Sequence, residues 1–326
     1  MDCGNPLDVR GEIMKIHIAK LLLVAIQILP LTGCVYLMDM FKPPRETWKA
    51  EQQSKSGTPP SSTVAYKEAQ DVDVIPVPNI TPRQNAYAVV IGIEEYREQL
   101  PKAQYATRDA KILGEYLTKV LGYPEKNVVV RVNEKAAKAD LEKYFGSWLH
   151  NNVEPGSSVF IYYSGHGAPN LKKGDAYLVP YDGDPSYLEN TAYPVKRLYE
   201  ELSKLPAKEV VVMLDSCFSG AGGRSVIAKG AKPIGLSLEN ALVPAGKIAV
   251  LSASSGDQIS MAHQEKGHGL FTYYVLKALQ KGGYTNSDGS VKLRELFEFV
   301  KPEVERIARK DYNSEQTPQL VLPSAH

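Results

Sequence analysis

Five short apolar runs, separated by longer amphipathic segments, constrain this chain more than anything else in it. The runs are residues 86–93, 128–132, 158–164, 209–215 and 247–254. They are rich in Val, Ile and Tyr and mostly lack strict alternation with polar residues, the pattern of strands buried on both faces. Between them, Leu141, Tyr144, Phe145, Trp148 and Leu149 keep the spacing of one helix face, as do Phe271, Tyr274, Val275, Ala278 and Leu279. Val195, Leu198, Leu202 and Leu205 mark a shorter helix, and Ala110, Leu113, Leu117 and Val120 another. Strand alternating with helix implies an α/β fold with a mainly parallel sheet and helices on both faces. Ligands bind such sheets beyond the carboxyl ends of the strands. Chemistry is therefore expected in the residues that follow each run.

Two of those strand ends carry reactive side chains. The third run ends Tyr162-Tyr163-Ser164-Gly165-His166-Gly167, and the fourth ends Met213-Leu214-Asp215-Ser216-Cys217-Phe218-Ser219-Gly220. Alone, a cysteine at a strand end is more often a small buried hydrophobe, and a histidine between glycines is equally a turn residue. Their pairing at two glycine-flanked strand ends argues for catalysis. A thiol of ordinary pKa is mostly protonated at neutral pH, and an imidazole beside it can take the proton. Thiolate attack on a carbonyl would give an acyl-enzyme. Backbone N–H groups of Gly167 and Cys217 are the candidate oxyanion donors. A serine hydrolase built on Ser219 or Ser164 is set aside, because no G-x-S-x-G elbow is present.

These residues resemble the caspase-like clan of cysteine peptidases, most closely its metacaspase and bacterial caspase-like branch. The resemblance rests on Tyr-Ser-Gly-His-Gly, followed 51 residues after the histidine by the cysteine of Asp-Ser-Cys-x-Ser-Gly, close to the spacing known for caspases. It extends loosely from 86 to 321. It implies a caspase–haemoglobinase-like αβα sandwich, His166 as general base and Cys217 as nucleophile. It also implies that Asp109, Ser164 and Asp215 line the pocket for the residue before the scissile bond. Caspases proper cut after aspartate and carry Gln-Ala-Cys, where this chain has Asp215-Ser216-Cys217. Two pocket carboxylates favour a cation over an anion, so cleavage after Arg or Lys is expected. The segment after the nucleophile is often cut in this clan, which makes Arg224, Lys229 and Lys232 candidate self-cleavage points. The alternative from another class is a catalytically idle binding or scaffold protein on the same fold.

Metals are weakly signalled. The calcium-dependent metacaspases carry aspartates after the histidine, and Asp175, Asp182 and Asp184 fall in that region. Tyr193-Pro194-Val195-Lys196-Arg197, however, stands where acidic residues usually precede the helix, which weighs against calcium. No cofactor is assigned from the sequence, calcium is left open as a doubtful candidate, and no metal ligand is named. Asn286-Ser287-Asp288-Gly289 resembles part of an EF-hand loop, but Tyr284 stands at its first ligand position, so a helix-capping turn is the preferred reading. Pro302 is expected to kink or restart the helix marked by Leu293, Leu296, Phe297 and Val300. His263 and His268 read as exposed loop residues.

The first 34 residues read as an address. Lys15, His17 and Lys20 precede an apolar stretch from residue 21 to 31, closed by Leu31-Thr32-Gly33-Cys34. About 11 apolar residues are too few to span a bilayer, which needs about 20, and the arrangement is that of a secretory signal. The tetrapeptide resembles a bacterial lipobox, which implies a lipidated Cys34. It also implies a place in the cell envelope, on the outer membrane facing the periplasm. Residues 35–84, rich in Pro, Ser, Gln, Lys and Thr, read as a flexible tether, and 85–326 as the peptidase domain. Lys and Arg total 38 against 37 Asp and Glu, so a nucleic-acid-binding surface is not expected. The partners expected are a protein or peptide substrate and, through the anchor, a membrane. The three cysteines, Cys3, Cys34 and Cys217, are too scattered for a disulfide framework or a cysteine zinc site.

Overall fold

In the computed structural model, the described residues are 71–78, 80–170, 175–219, 223–227, 246–256 and 258–323. The chain divides into two units, Met1–Ser62 and Thr63–His326, and every described residue lies in the second. Cys34 and its signal stretch, Lys229 and Lys232 lie outside the described residues. No helix among the described residues is long and apolar enough to cross a membrane.

The apolar runs become the strands of one six-stranded sheet. β1 (Ala86–Gly92), β2 (Val128–Val132), β3 (Ser158–Ser164), β7 (Glu209–Asp215) and β8 (Ile248–Ser252) pair in parallel, and β11 (Gln319–Val321) closes one edge antiparallel to β8. The order is β11-β8-β7-β3-β1-β2. Successive side chains point to opposite faces, and here both faces are covered. Val89, Ile91, Ile161, Tyr163, Val212 and Leu214 belong to one core, while Ala88, Val90, Phe160, Tyr162 and Met213 belong to the other. That is why the sequence showed runs rather than alternation.

Helices cover the two faces as the periodicities predicted. On one face lie α1 (Ala106–Lys119) and, later in the chain, α4 (Leu270–Lys281) and α5 (Leu293–Tyr312). On the other lie α2 (138–152), whose middle part Glu142–Trp148 winds as wider π-type turns, and α3 (Val195–Lys204). Helix α5 runs through Pro302 without a break, against the sequence expectation of a restart. Its buried residues Leu296, Val300, Val304, Ile307 and Ala308 belong to the same core as α4, and that packing holds both halves in line across the missing hydrogen bond.

Smaller pieces surround the sheet. β4 (Gly167–Asn170), β5 (Asp175–Leu178) and β6 (Tyr193–Pro194) form a three-stranded antiparallel sheet, and β9 (Ala262–His263) pairs with β10 (His268–Gly269). Residues 285–291 form a hairpin-like turn. Thr285 bridges Val291, and Asp288 Oδ1 accepts the Ser290 N–H at 2.9 Å. This corrects the helix-capping reading, since the N-cap residue of α5, Lys292, makes no side-chain cap bond. Residues 71–73, within the stretch read as tether, are wound into a single 3-10 turn with Val72 fully buried.

Candidate active site

Strand register brings the two motifs together. In β3 and β7, Ser164 stands opposite Asp215, so the residues just past these partners leave the sheet side by side. A β-carbon on Gly167 would overlap the carbonyl oxygen of Cys217 and stand 2.6 Å from the Phe218 ring. Only glycine permits that approach. His166 and Cys217 are both buried.

The imidazole of His166 is held from two sides. Its Nε2 hydrogen-bonds the carbonyl of Pro101, and its ring stacks on Tyr96 at a centroid distance of 4.8 Å. The His166 backbone N–H donates to Tyr96 Oη at 2.6 Å, and Tyr163 Oη lies 2.7 Å from the His166 carbonyl. A carbonyl can only accept, so Nε2 carries the proton and Nδ1 keeps its lone pair. Nδ1 is buried and has no hydrogen-bond partner. Burial lowers the pKa of this histidine, offset in part by bonding to Pro101, so the ring is neutral and able to act as a base. The Cys217 thiol receives the Ser260 N–H and lies 3.9 Å from Ser254 Oγ. Burial pushes its pKa up to about 11, against the lowering effect of those donors.

The most informative residue is Arg224. Its carbonyl oxygen accepts the Gly167 N–H at 2.9 Å and the Cys217 N–H at 3.3 Å, the two donors singled out from sequence. Its guanidinium is buried. Nη1 donates to Ser164 Oγ at 2.8 Å and to the Asp215 carbonyl at 3.0 Å, and pairs with Asp215 Oδ1 at 2.8 Å. Nη2 donates to the Gln104 carbonyl at 2.8 Å and stands 3.7 Å from Asp109 Oδ2. Asp109, Ser164 and Asp215 therefore converge on one cationic side chain of the same molecule. The next residue, Ser225, bridges Gly167 in parallel, and Val226 N–H donates to the Gly167 carbonyl at 2.9 Å. The segment thus lies along the site as an added strand.

The pocket walls are set by secondary structure. Tyr105 at the start of α1 adopts a left-handed backbone (φ 66), a sparsely populated conformation for a non-glycine residue. The carbonyl of Gln104 just before it reaches Arg224, and Asp109 lies one turn into the helix. Asp215 is satisfied from α4 and the loop before it, with Thr272 Oγ donating to Oδ2 and Ser260 Oγ to Oδ1, each at 2.6 Å. Gly269 forms the floor. A β-carbon there would overlap Asp215 Oδ2 and stand 2.8 Å from Arg224 Nη2.

Several of these parts were not legible in the sequence. Tyr96, Pro101, Gln104, Ser260 and Thr272 sit on loops or helix starts with no motif around them, although a threonine inside the apolar α4 pattern was a usable hint. His263 and His268 are buried, 4% and 0% exposed, which corrects their reading as loop residues. Each lies on one strand of the short β9–β10 hairpin under Tyr273. Two of the three aspartates weighed for calcium accept backbone N–H groups of the protein. Asp182 Oδ1 accepts the Lys138 N–H at 2.8 Å, and Asp184 Oδ1 the Ser186 N–H at 2.8 Å. Among the described residues no three His, Cys, Asp or Glu side chains are grouped to hold a metal ion.

Comparison with known proteins gives a consistent picture. The family model described as Caspase domain, Peptidase_C14, matches residues 85–325. Metacaspase-1A of Aspergillus oryzae is 27% identical over 152 residues, which cover 41% of this chain and 34% of that protein. Metacaspase-1A of Aspergillus niger is 26% identical over 152 residues, covering 41% and 35%. The aligned part thus spans about a third of the length of these curated relatives. Among solved structures, protein GSU0716 from Geobacter sulfurreducens superposes with a TM-score of 0.53 at 18% identity, covering 74% of this chain and 94% of that one. At that identity the likeness concerns the fold.

Proposed function

The chain belongs to the caspase-domain family, and from that premise we propose that it is a cysteine endopeptidase cleaving after Arg or Lys through a His166–Cys217 dyad. The observation that carries this reading is Arg224, whose guanidinium lies among Asp215, Ser164 and Asp109 while its carbonyl accepts from two backbone N–H groups. A substrate arginine set down in the same way has its carbonyl polarised beside the thiol.

The steps follow from these groups. His166 Nδ1 takes the thiol proton, and the Cys217 sulfur attacks the carbonyl carbon of the Arg or Lys residue. The oxyanion rests on the N–H groups of Gly167 and Cys217. The intermediate collapses, His166 returns its proton to the leaving amine, and a thioester remains. Water, deprotonated by His166, then attacks the thioester. The acid product leaves, and the sulfur regains a proton.

The same geometry makes the described state a latent one. Arg224 fills the pocket, and burial leaves the Cys217 thiol protonated at neutral pH. We assign Arg224–Ser225 as the self-cleavage bond, with Arg224 as an internal substrate mimic that must be cut or displaced. The raised thiol pKa stands on the side of an idle scaffold; burial causes it, while the Arg224 guanidinium itself acts to lower it. The fuller proposal places the enzyme on a lipidated Cys34 in a bacterial envelope. Incorporation of a labelled fatty acid, lost in Cys34→Ser, tests that part.

The decisive assay compares peptide reporters ending in Arg, Lys and Asp, with calcium or chelator, on the full chain and on Cys217→Ala. Cysteine-dependent turnover of the Arg and Lys reporters supports the proposal. Turnover of the Asp reporter, or equal turnover in Cys217→Ala, overturns it.

A further inference from the structure

His268 lies against the pocket without touching Arg224 in any hydrogen bond. It sits in a chain of charges that begins ahead of the domain. Its Nδ1 is 2.7 Å from Asp109 Oδ1, and its Nε2 is 3.2 Å from Asp73 Oδ1. Asp73 also pairs with Arg108, next to Asp109 on α1. The second oxygen of Asp109 accepts the N–H of Gly269, the residue after His268, at 2.8 Å. Both His268 and Asp109 are fully buried.

The residues around Asp73 are fixed firmly. Tyr116 Oη donates to the Val72 carbonyl at 2.8 Å. Lys277 Nζ pairs with Asp71 Oδ2 at 2.5 Å, Tyr273 Oη donates to Asp71, and Gln280 Nε2 donates to the Val74 carbonyl at 3.0 Å. A three-residue turn more than ten residues ahead of β1 is thus stitched to α1 and α4, and its Asp73 faces a histidine that faces the pocket.

We propose that His268 is a positioning residue that sets specificity: clamped between Asp109 and Asp73, it holds Asp109 ionised and aimed, and ties the segment preceding the domain to the pocket. The inference rests on the endopeptidase reading above. Its physical content is charge matching. Two buried carboxylates facing one pocket repel, and one would take a proton unless compensated. Here the charges pair off. Arg108 answers Asp73, His268 answers Asp109, and Asp215 is left to answer the incoming cation. The distances agree, since Arg224 reaches Asp215 at 2.8 Å but stands 3.7 Å from Asp109, whose oxygens are already engaged. The pocket is therefore built for one positive charge.

Burial would lower the pKa of His268, but the bonds and charges of Asp109 and Asp73 outweigh it and raise the value to about 9. Burial raises Asp109, and the bond from His268 opposes that rise. The other groups around His268 are Arg224 beside Gly269, His263 across the hairpin, Lys266 in its turn, and Tyr273, which is bonded to Asp71. Arg108 stands beside Gly267 and Asp215 beside Gly269. The cations among these groups disfavour a protonated ring, and the two carboxylates that bond it, Asp109 and Asp73, supply the stabilisation that outweighs them.

The test uses the full chain as wild type, His268→Gln and Asp73→Asn. On an Arg reporter, His268→Gln should raise KM about tenfold, as expected for loss of one charged hydrogen bond, with kcat changed far less. Its activity should require a higher pH, because Asp109 loses its counter-charge. KM and pH profile both within about twofold of wild type would overturn the proposal. A second readout needs no turnover. In nitrogen-15 histidine spectra, the signal missing in His268→Gln should stay protonated to about pH 8 in wild type, and Asp73→Asn should bring its titration down. A midpoint near that of a free histidine in wild type would overturn the proposal. Failure of the wild type to cleave any Arg or Lys reporter would instead count against the endopeptidase reading, and leave the spectra to decide the relay.

Discussion

Arg224 and Asp215, nine positions apart in the chain, form a buried ion pair at 2.8 Å with neither side chain more than 3% exposed. One member closes β7, and the other lies beyond Cys217 on the segment laid against Gly167. An ion pair at this depth is held by its geometry, because removing either partner leaves an uncompensated charge in a dry site. It fills the space lined by Asp109, Ser164 and Asp215 with a cation of the same molecule.

Removing the occupant should release the enzyme. In Arg224→Gln, fragments ending at Arg224 should disappear from terminal sequencing, and Arg-reporter turnover should begin without the lag of the full chain. A lag equal to that of wild type would mean that Arg224 is not the plug.

The pair should also appear as a coupling energy. Asp215→Asn alone should destabilise the fold by about 3 kcal/mol, since it strands a buried guanidinium. The double variant with Arg224→Gln should recover most of that loss. Denaturant melts of the four proteins measure it, and additive losses would refute the coupling.

The thiol should respond to the same event. With its pKa pushed up to about 11 by burial, Cys217 holds little thiolate at neutral pH. Iodoacetamide should therefore alkylate the full chain slowly and Arg224→Gln at least about tenfold faster, because release of the segment exposes the thiol and outweighs the loss of the Arg224 charge, which acts to lower the pKa. The comparison is read by mass spectrometry of the peptide carrying Cys217.

Stability should carry the mark of His268. Its pKa in the fold, about 9, lies above its ordinary value. Its contribution is therefore complete below about pH 6.5 and lost as pH rises through about 9. The difference in melting temperature between wild type and His268→Gln should shrink across that window. His166 and His263 are shifted the other way and act at lower pH.

Gly269→Ala tests the pocket floor. A methyl group there would overlap Asp215 Oδ2, so Arg-reporter kcat/KM should fall by about a hundredfold or more. Alkylation of Cys217 by iodoacetamide should keep its wild-type rate, since the added methyl meets Asp215 and Arg224 and not the thiol. Unchanged Arg turnover would show that the pocket has another base.

Much of this was written in the chain. The five runs became the five parallel strands, because strands covered on both faces need near-continuous apolar runs. His166 and Cys217 were legible because each follows a strand, His166 between two glycines and Cys217 with Gly167 packed against its carbonyl. The pattern could not say where Arg224 would lie, since a basic residue in a Gly-rich segment reads as solvent-exposed until its partners are known. Nor could it place His268, whose partners Asp109 and Asp73 are 159 and 195 residues away. Periodicity records which face of an element is apolar. Which distant charges meet on one side of the sheet, and so which ones the low dielectric forces to pair, was decided only when the strands closed and α1 and α4 were packed against them.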